Sequence, residues 1–169
     1  MLNRELLPDN TCFGCGHDNH GGLRIEIVRD ERDRRVLRGH LAPTEAMQGF
    51  PGITHGGVIY TALDCLSTWV ATLLGPNRGA GWILRSASVV YKKPAPAGQP
   101  LTLVGRIVEQ GGSWDPLIVR TEAHRPDGAV CVEADFKVVP LATEKLAAIA
   151  GIQGIPDNWR IFLSQPAEP

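Results

Sequence analysis

Between Gly56 and Leu74 the apolar positions recur with helical spacing. Wound at about 100° per residue, Val58, Ile59, Ala62, Leu63, Cys65, Leu66, Trp69, Val70, Leu73 and Leu74 cover nearly the whole circumference. Gly57, Thr61, Asp64, Thr68 and Ala71 fall within about 60° of one another, a narrow stripe of small and polar residues. A helix that is apolar on most sides is wrapped by the rest of its fold, so the stripe faces a partner or a cavity. An unpaired carboxylate in such a place costs on the order of several kcal/mol. Asp64 is therefore expected to be paired, protonated or functional. A hydrogen bond to Thr61 or Thr68, one turn away on a seam of small residues, is the plain structural alternative.

On both sides of this helix the pattern changes to strands. Leu23–Val28 and Arg35–Leu41 flank the charged turn Asp30–Asp33 and predict a hairpin. Gly75–Gly81 reads as a flexible connection. Four strand-like segments follow, Trp82–Tyr91, Leu101–Glu109, Leu117–His124 and Ala129–Val139, separated by stretches rich in Pro, Gly and Asp. The prediction is an α+β fold: two strands, one long central helix, then a four-strand antiparallel meander that curls around it, about six strands in all. Thr143–Ala150 is a short amphipathic segment and Pro156–Trp159 a second helix start, so residues 142–169 are expected to form a helical tail covering an edge or a pocket mouth. Residues 1–141 make up one domain, with 1–22 as an N-terminal extension.

Composition narrows the function. A chain of 169 residues with 43% hydrophobic and 21% charged residues and a formal net charge of -1 is an ordinary globular protein. It has no global field to attract nucleic acid or an anionic membrane, and neither is expected as a partner. Met1–Pro8 lacks the apolar run of a signal peptide, and no stretch approaches 18 uninterrupted apolar residues, so the expected location is the cytoplasm. There the four cysteines stay reduced, with Cys65 and Cys131 as small core residues. Cys12-x-x-Cys15, with His17 and His20 close by, invites a metal reading. Zinc motifs separate their ligand pairs by about a dozen residues or more so that the chain can wrap the ion. This cluster is too compressed, and no metal or other cofactor is expected. Gly14-x-Gly16 lacks the third glycine of a dinucleotide loop, and no Gly-x-Ser-x-Gly elbow is present.

The run Gln48-Gly49-Phe50-Pro51-Gly52-Ile53-Thr54-His55-Gly56-Gly57, followed by Asp64, resembles the hotdog-fold acyl-CoA thioesterases of the phenylacetate-pathway type. Cys12-Phe13-Gly14-Cys15-Gly16, continuing through Asn19 to Gly22-Leu23, is similar to the opening of many members, and Tyr91-Lys92-Lys93-Pro94 fits the family's aromatic-basic-Pro strand ending. Together these span residues 12 to about 139. The resemblance implies a catalytic set of Asp64, Gly56, His55 and Gln48. The Gly56 backbone N–H would hold the thioester oxyanion at the helix N-terminus, where donors and dipole are preorganised, and Gly57 would extend that opening. Asp64 would come from the neighbouring subunit to activate water or attack the carbonyl. Gly56 and Asp64 lie about 12 Å apart along one helix at about 1.5 Å per residue, so one carbonyl needs both helices of a two-fold pair. A homodimer is implied, with a dimer of dimers left open. His55 could orient the thioester or cap the helix, and Gln48 could bond the thioester or hold its own loop.

The resemblance also places Lys92 and Lys93 on the coenzyme A phosphates, with Arg78 and Arg85 as weaker candidates and Thr68 on the substrate side of the stripe. One departure stands out. Where many relatives carry Thr or Ser seven residues before the strand's aromatic, this chain has Leu84, and Ser86, taken to lie on the same strand face, is the substitute. The expected activity is acyl-CoA thioester hydrolysis. The alternatives are a non-catalytic acyl-CoA-binding or sensing protein and an acyl-thioester hydratase or dehydratase, the latter needing a histidine facing substrate. The acyl group, and CoA against acyl carrier protein, stay open.

Overall fold

The computed structural model describes residues 1–77 and 79–164; Arg78 and the last five positions of the tail lie outside the described residues. Helix α1 (Leu2–Leu6) leads to the hairpin β1 (Glu26–Arg29) and β2 (Val36–Leu41). A 3-10 turn (Glu45–Met47) and a small hairpin, β3 (Gln48–Phe50) and β4 (Ile53–Thr54), deliver the chain to α2 (Gly56–Leu74). Strands β5 (Ala80–Tyr91), β6 (Leu101–Glu109), β7 (Leu117–His124) and β8 (Val130–Ala142) follow, then α3 (Thr143–Ala150) and α4 (Asp157–Leu163).

The expected α+β architecture is present: one six-stranded antiparallel sheet packed against the central helix, with short helices at the C-terminal end. The helix bounds coincide with those read from periodicity, because apolar spacing and the opening glycines mark the same limits. Ile59, Ala62, Leu63, Leu66 and Val70 are buried against Leu103, Val119, Ala134 and Phe136 of the sheet. By length and apolarity alone α2 would suit a bilayer, but these side chains are spent on the protein's own core.

The order of the last four strands departs from the expected meander. The sheet runs β1-β2-β6-β7-β8-β5, so only β6, β7 and β8 follow one another, while β5 lies on the far edge, paired with β8. Alternation reveals a strand's faces but not its neighbour, and β2 rather than β5 takes the open side of β6. A bulge between Leu84 and Ser86 shifts the β5 register: Leu84 opposes Val138, and Ser86 opposes Lys137. Adjacent residues of β8 point to opposite faces, so Ser86 does not share Leu84's face, contrary to expectation.

The first 22 residues are docked. Buried Asn3 donates from Nδ2 to the carbonyls of Cys15 (3.0 Å) and Ile25 (2.8 Å) and accepts from the Ile27 N–H (3.1 Å). At the other end, Phe162 of α4 meets Trp69 of α2 at 4.5 Å between ring centroids, so the tail covers one side of the central helix.

Candidate active site

Two recesses flank α2. The first, about 220 Å³, is lined by Asp64, Thr68, the thiols of Cys12, Cys15 and Cys65, the rings of Trp69 and Trp82, and tail residues including Trp159 and Phe162. Asp64 is half-buried there, and its Oδ1 is buried without a hydrogen-bond partner. Burial pushes its carboxyl above the ordinary aspartate range, reinforced by the nearby Cys12. The structural alternative for Asp64 fails on geometry. Thr61 Oγ1 donates to the Gly57 carbonyl at 2.9 Å, and Thr68 Oγ1 donates to Asp64's own carbonyl at 3.2 Å, so neither hydroxyl reaches the carboxylate. Of the remaining stripe, Gly57 is exposed, Thr61 and Thr68 are half-buried and Ala71 is buried.

The second recess is an open groove of about 340 Å³ that holds Gly56, Ile59, Tyr91, Lys92 and Lys93. At the start of α2 the first donors are already sorted. His55 caps the helix, its Nδ1 accepting the Gly57 N–H at 2.9 Å. Val58 N–H turns back to the His55 carbonyl at 3.0 Å. Among the described residues, the Gly56 N–H donates to nothing. A Cβ on Gly57 would lie 3.0 Å from His55 Nδ1, so that glycine makes room for the cap rather than for a substrate. The space beside Gly56 is likewise filled, by the Tyr91 ring, whose hydroxyl donates to the Gly56 carbonyl at 3.1 Å.

The other expected site residues separate into those near these recesses and those elsewhere. Gln48 spends its amide on its own loop: Nε2 donates to the Glu45 carbonyl (2.8 Å) and carboxylate (2.6 Å), and Oε1 accepts the Gly52 N–H (2.6 Å). Lys92 is ion-paired with Glu133 at 2.9 Å, whereas Lys93 makes no ion pair among the described residues. Ser86 is exposed beside Lys137, away from both recesses, and Arg85 is exposed at the bulge. Sequence reasoning missed Tyr91 as the residue that holds the Gly56 backbone, although the aromatic before the lysine pair marked it. It also missed Trp82, whose Nε1 is buried without a partner in the wall of the Asp64 cavity. Asp64 and Gly56 of one chain open into different recesses.

Comparison with known proteins follows the same lines. Residues 51–132, which run from the turn between β3 and β4 to the third residue of β8, match the model of the Thioesterase superfamily. No curated protein matches the chain. Among solved structures, a thioesterase superfamily protein is 28% identical with a TM-score of 0.63, covering 73% of this chain; this chain spans only 60% of that one. The PaaI protein of the E. coli phenylacetic acid degradation operon is 17% identical, with a TM-score of 0.61 over 71% of this chain and 81% of that one. A Streptococcus mutans protein bound to acetyl CoA is 20% identical, with a TM-score of 0.61 over 75% of this chain and 95% of that one. The helix, the sheet around it and these neighbours together give the chain the hotdog fold.

Proposed function

We propose that the protein is an acyl-CoA thioesterase, hydrolysing a thioester to a carboxylic acid and CoA at a site shared by two protomers. The observation that carries this reading is Asp64: a carboxylate with a buried, unpartnered oxygen, raised in pKa, on the small and polar stripe of the central helix. A protein retains such a group against its desolvation cost where it is used. The match of residues 51–132 to the Thioesterase superfamily and the acetyl CoA bound to a neighbour of the same fold support a CoA thioester as the class of substrate.

In this mechanism the thioester carbonyl lies at the N-terminus of one α2, where the free Gly56 N–H receives the developing oxyanion and the helix dipole favours its charge. Tyr91 fixes the Gly56 peptide through its carbonyl. The CoA phosphates lie along the groove toward Lys93, with Lys92 sharing its charge with Glu133. Asp64 of the second protomer takes a proton from water as the water attacks, or attacks the carbonyl itself. The carbon–sulfur bond then breaks and the CoA thiolate leaves; where Asp64 has attacked, water hydrolyses the resulting acyl–aspartate anhydride, releasing the acid and restoring the carboxylate. The acyl group takes the cavity beside Asp64. Since a dry cavity of about 150 Å³ holds a benzene molecule, a space of about 220 Å³ suits a compact acyl group.

Two other readings are weaker. A hydratase needs an imidazole on the substrate, and the His55 Nδ1 is engaged in capping. Binding without turnover is favoured by Leu84, which leaves that strand position without a hydroxyl. One assay separates them: free-thiol release from a panel of acyl-CoAs, with wild type and Asp64→Asn. Turnover by the wild type and a fall of about 10²–10⁴-fold in the variant, with CoA-ester binding retained, is the expected result. Binding with no thiol release from any ester would overturn hydrolysis.

A further inference from the structure

Three thiols from distant parts of the chain meet beside Asp64. Cys12 and Cys15 belong to the loop before β1, and Cys65 follows Asp64 on α2; their Sγ atoms all lie within 4.8 Å of one another, with Cys12 and Cys65 at 3.7 Å. The spacing of residues 12 to 20 was too tight to wrap an ion, but the fold supplies the remote ligand that the spacing lacks. The two histidines are not part of it. His17 Nδ1 accepts from Arg4 Nε at 3.0 Å, and neither His17 nor His20 joins the cluster. We propose that Cys12, Cys15 and Cys65 bind one Zn²⁺, with the fourth position filled by a water or other small ligand from the cavity they share with Asp64.

The dimensions fit. Tetrahedral zinc with Zn–S bonds of about 2.3 Å sets its sulfurs about 3.8 Å apart. Cys12 and Cys65 already stand at that separation, and the widest pair need close by only about 1 Å. The surroundings are also those of thiolates. The loop is folded by the Gly16 N–H on the Cys12 carbonyl at 2.9 Å. Asn10 Nδ2 and Trp69 Nε1 donate to Cys15 Sγ at 3.4 and 3.3 Å, and Asn10 is itself held by the Cys12 N–H at 2.9 Å. A neutral thiol is a weak acceptor with a proton of its own to place. Two N–H donors converging on the Cys15 sulfur are an outer shell of the kind that orients a metal-bound thiolate. A side chain on Gly14 would overlap Cys65 Sγ, so the close approach of loop and helix is built into the sequence.

Cobalt and alkylation test this without reference to turnover. Titration of the reduced protein with Co²⁺ should give thiolate-to-metal charge transfer and the visible bands of a tetrahedral site, saturating at about one ion per chain, and Zn²⁺ should bleach them. Zinc should shield Cys12, Cys15 and Cys65 from alkylation while leaving the labelling of Cys131 as it was; that thiol, on β8, donates to the Ala123 carbonyl of β7 and serves as an internal control. Cys65→Ser should weaken binding more than ~10-fold, and His17→Ala should bind as wild type. Should Cys65→Ser fail to fold, the alkylation map of the wild type decides alone. No charge-transfer band, or labelling of the three thiols that zinc does not change, overturns the site. So does a Cys12–Cys65 disulfide in the isolated protein that takes up no metal once reduced. Either failure leaves the proposal of hydrolysis untouched.

Discussion

At the residue scale, the role proposed for Asp64 sets activity and stability at opposite signs. Burial raises its carboxyl above the reference value of 3.8. Since the folded-state value exceeds the unfolded one, the favourable contribution of the protonated form is complete below the unfolded value and is lost as pH rises through the folded one. At neutral pH the native state therefore carries a desolvation cost that an amide would not. Asp64→Asn should stabilise the protein at pH 7 by about 0.5–2 kcal/mol, and the gain should shrink as pH approaches 4. Chemical denaturation at both pH values measures it; a loss of stability at pH 7, or an equal change at both, would contradict the burial argument. The wild-type rate should also fall on acidification through the raised Asp64 value, because only the carboxylate can accept a proton from water.

At the element scale, the start of α2 separates a structural histidine from a chemical one. His55 Nδ1 satisfies one of the helix's orphan donors, a role worth about 0.5–2 kcal/mol. His55→Ala should lose that much, whereas His55→Asn, another good cap, should restore both the stability and the turnover. A stable His55→Asn protein that stays slow would show that the imidazole touches the reaction. Elements also mark where sequence reading ends. The limits of α2, β6 and β7 follow from periodicity and turn residues, which are local signals. The partner of β5 does not, since pairing is decided by the whole sheet, and a one-residue bulge at Arg85 leaves no trace in a stretch as mixed as Leu84–Val89. Asp64 stood out because a lone carboxylate broke an apolar pattern. The Cys65 thiol matched its apolar neighbours, so only the fold could show it beside Cys12 and Cys15.

At the scale of the whole molecule, a single chain keeps the two groups of the proposed site apart. Asp64 and Gly56 sit in separate recesses, and the last part of β5 forms an open sheet edge, with Val90 and Tyr91 exposed by 52% and 53%. Unpaired edges are normally covered, and a two-fold partner would cover this one while setting each Asp64 toward the other's helix start. Complementation between two disabled variants tests that arrangement. Asp64→Asn lacks the carboxylate, and Gly56→Val forces a side chain into the Tyr91 ring and displaces the proposed oxyanion donor. Each alone should be inactive. Co-expressed in equal amounts, half of the dimers should be mixed, and each mixed dimer should hold one site with both groups intact, returning about a quarter of wild-type turnover. If differently tagged mixed dimers form and yet show no activity above that of the separate variants, Asp64 does not act across the two-fold. Recovery of about a quarter can arise only if the carboxylate of one chain serves the helix start of the other.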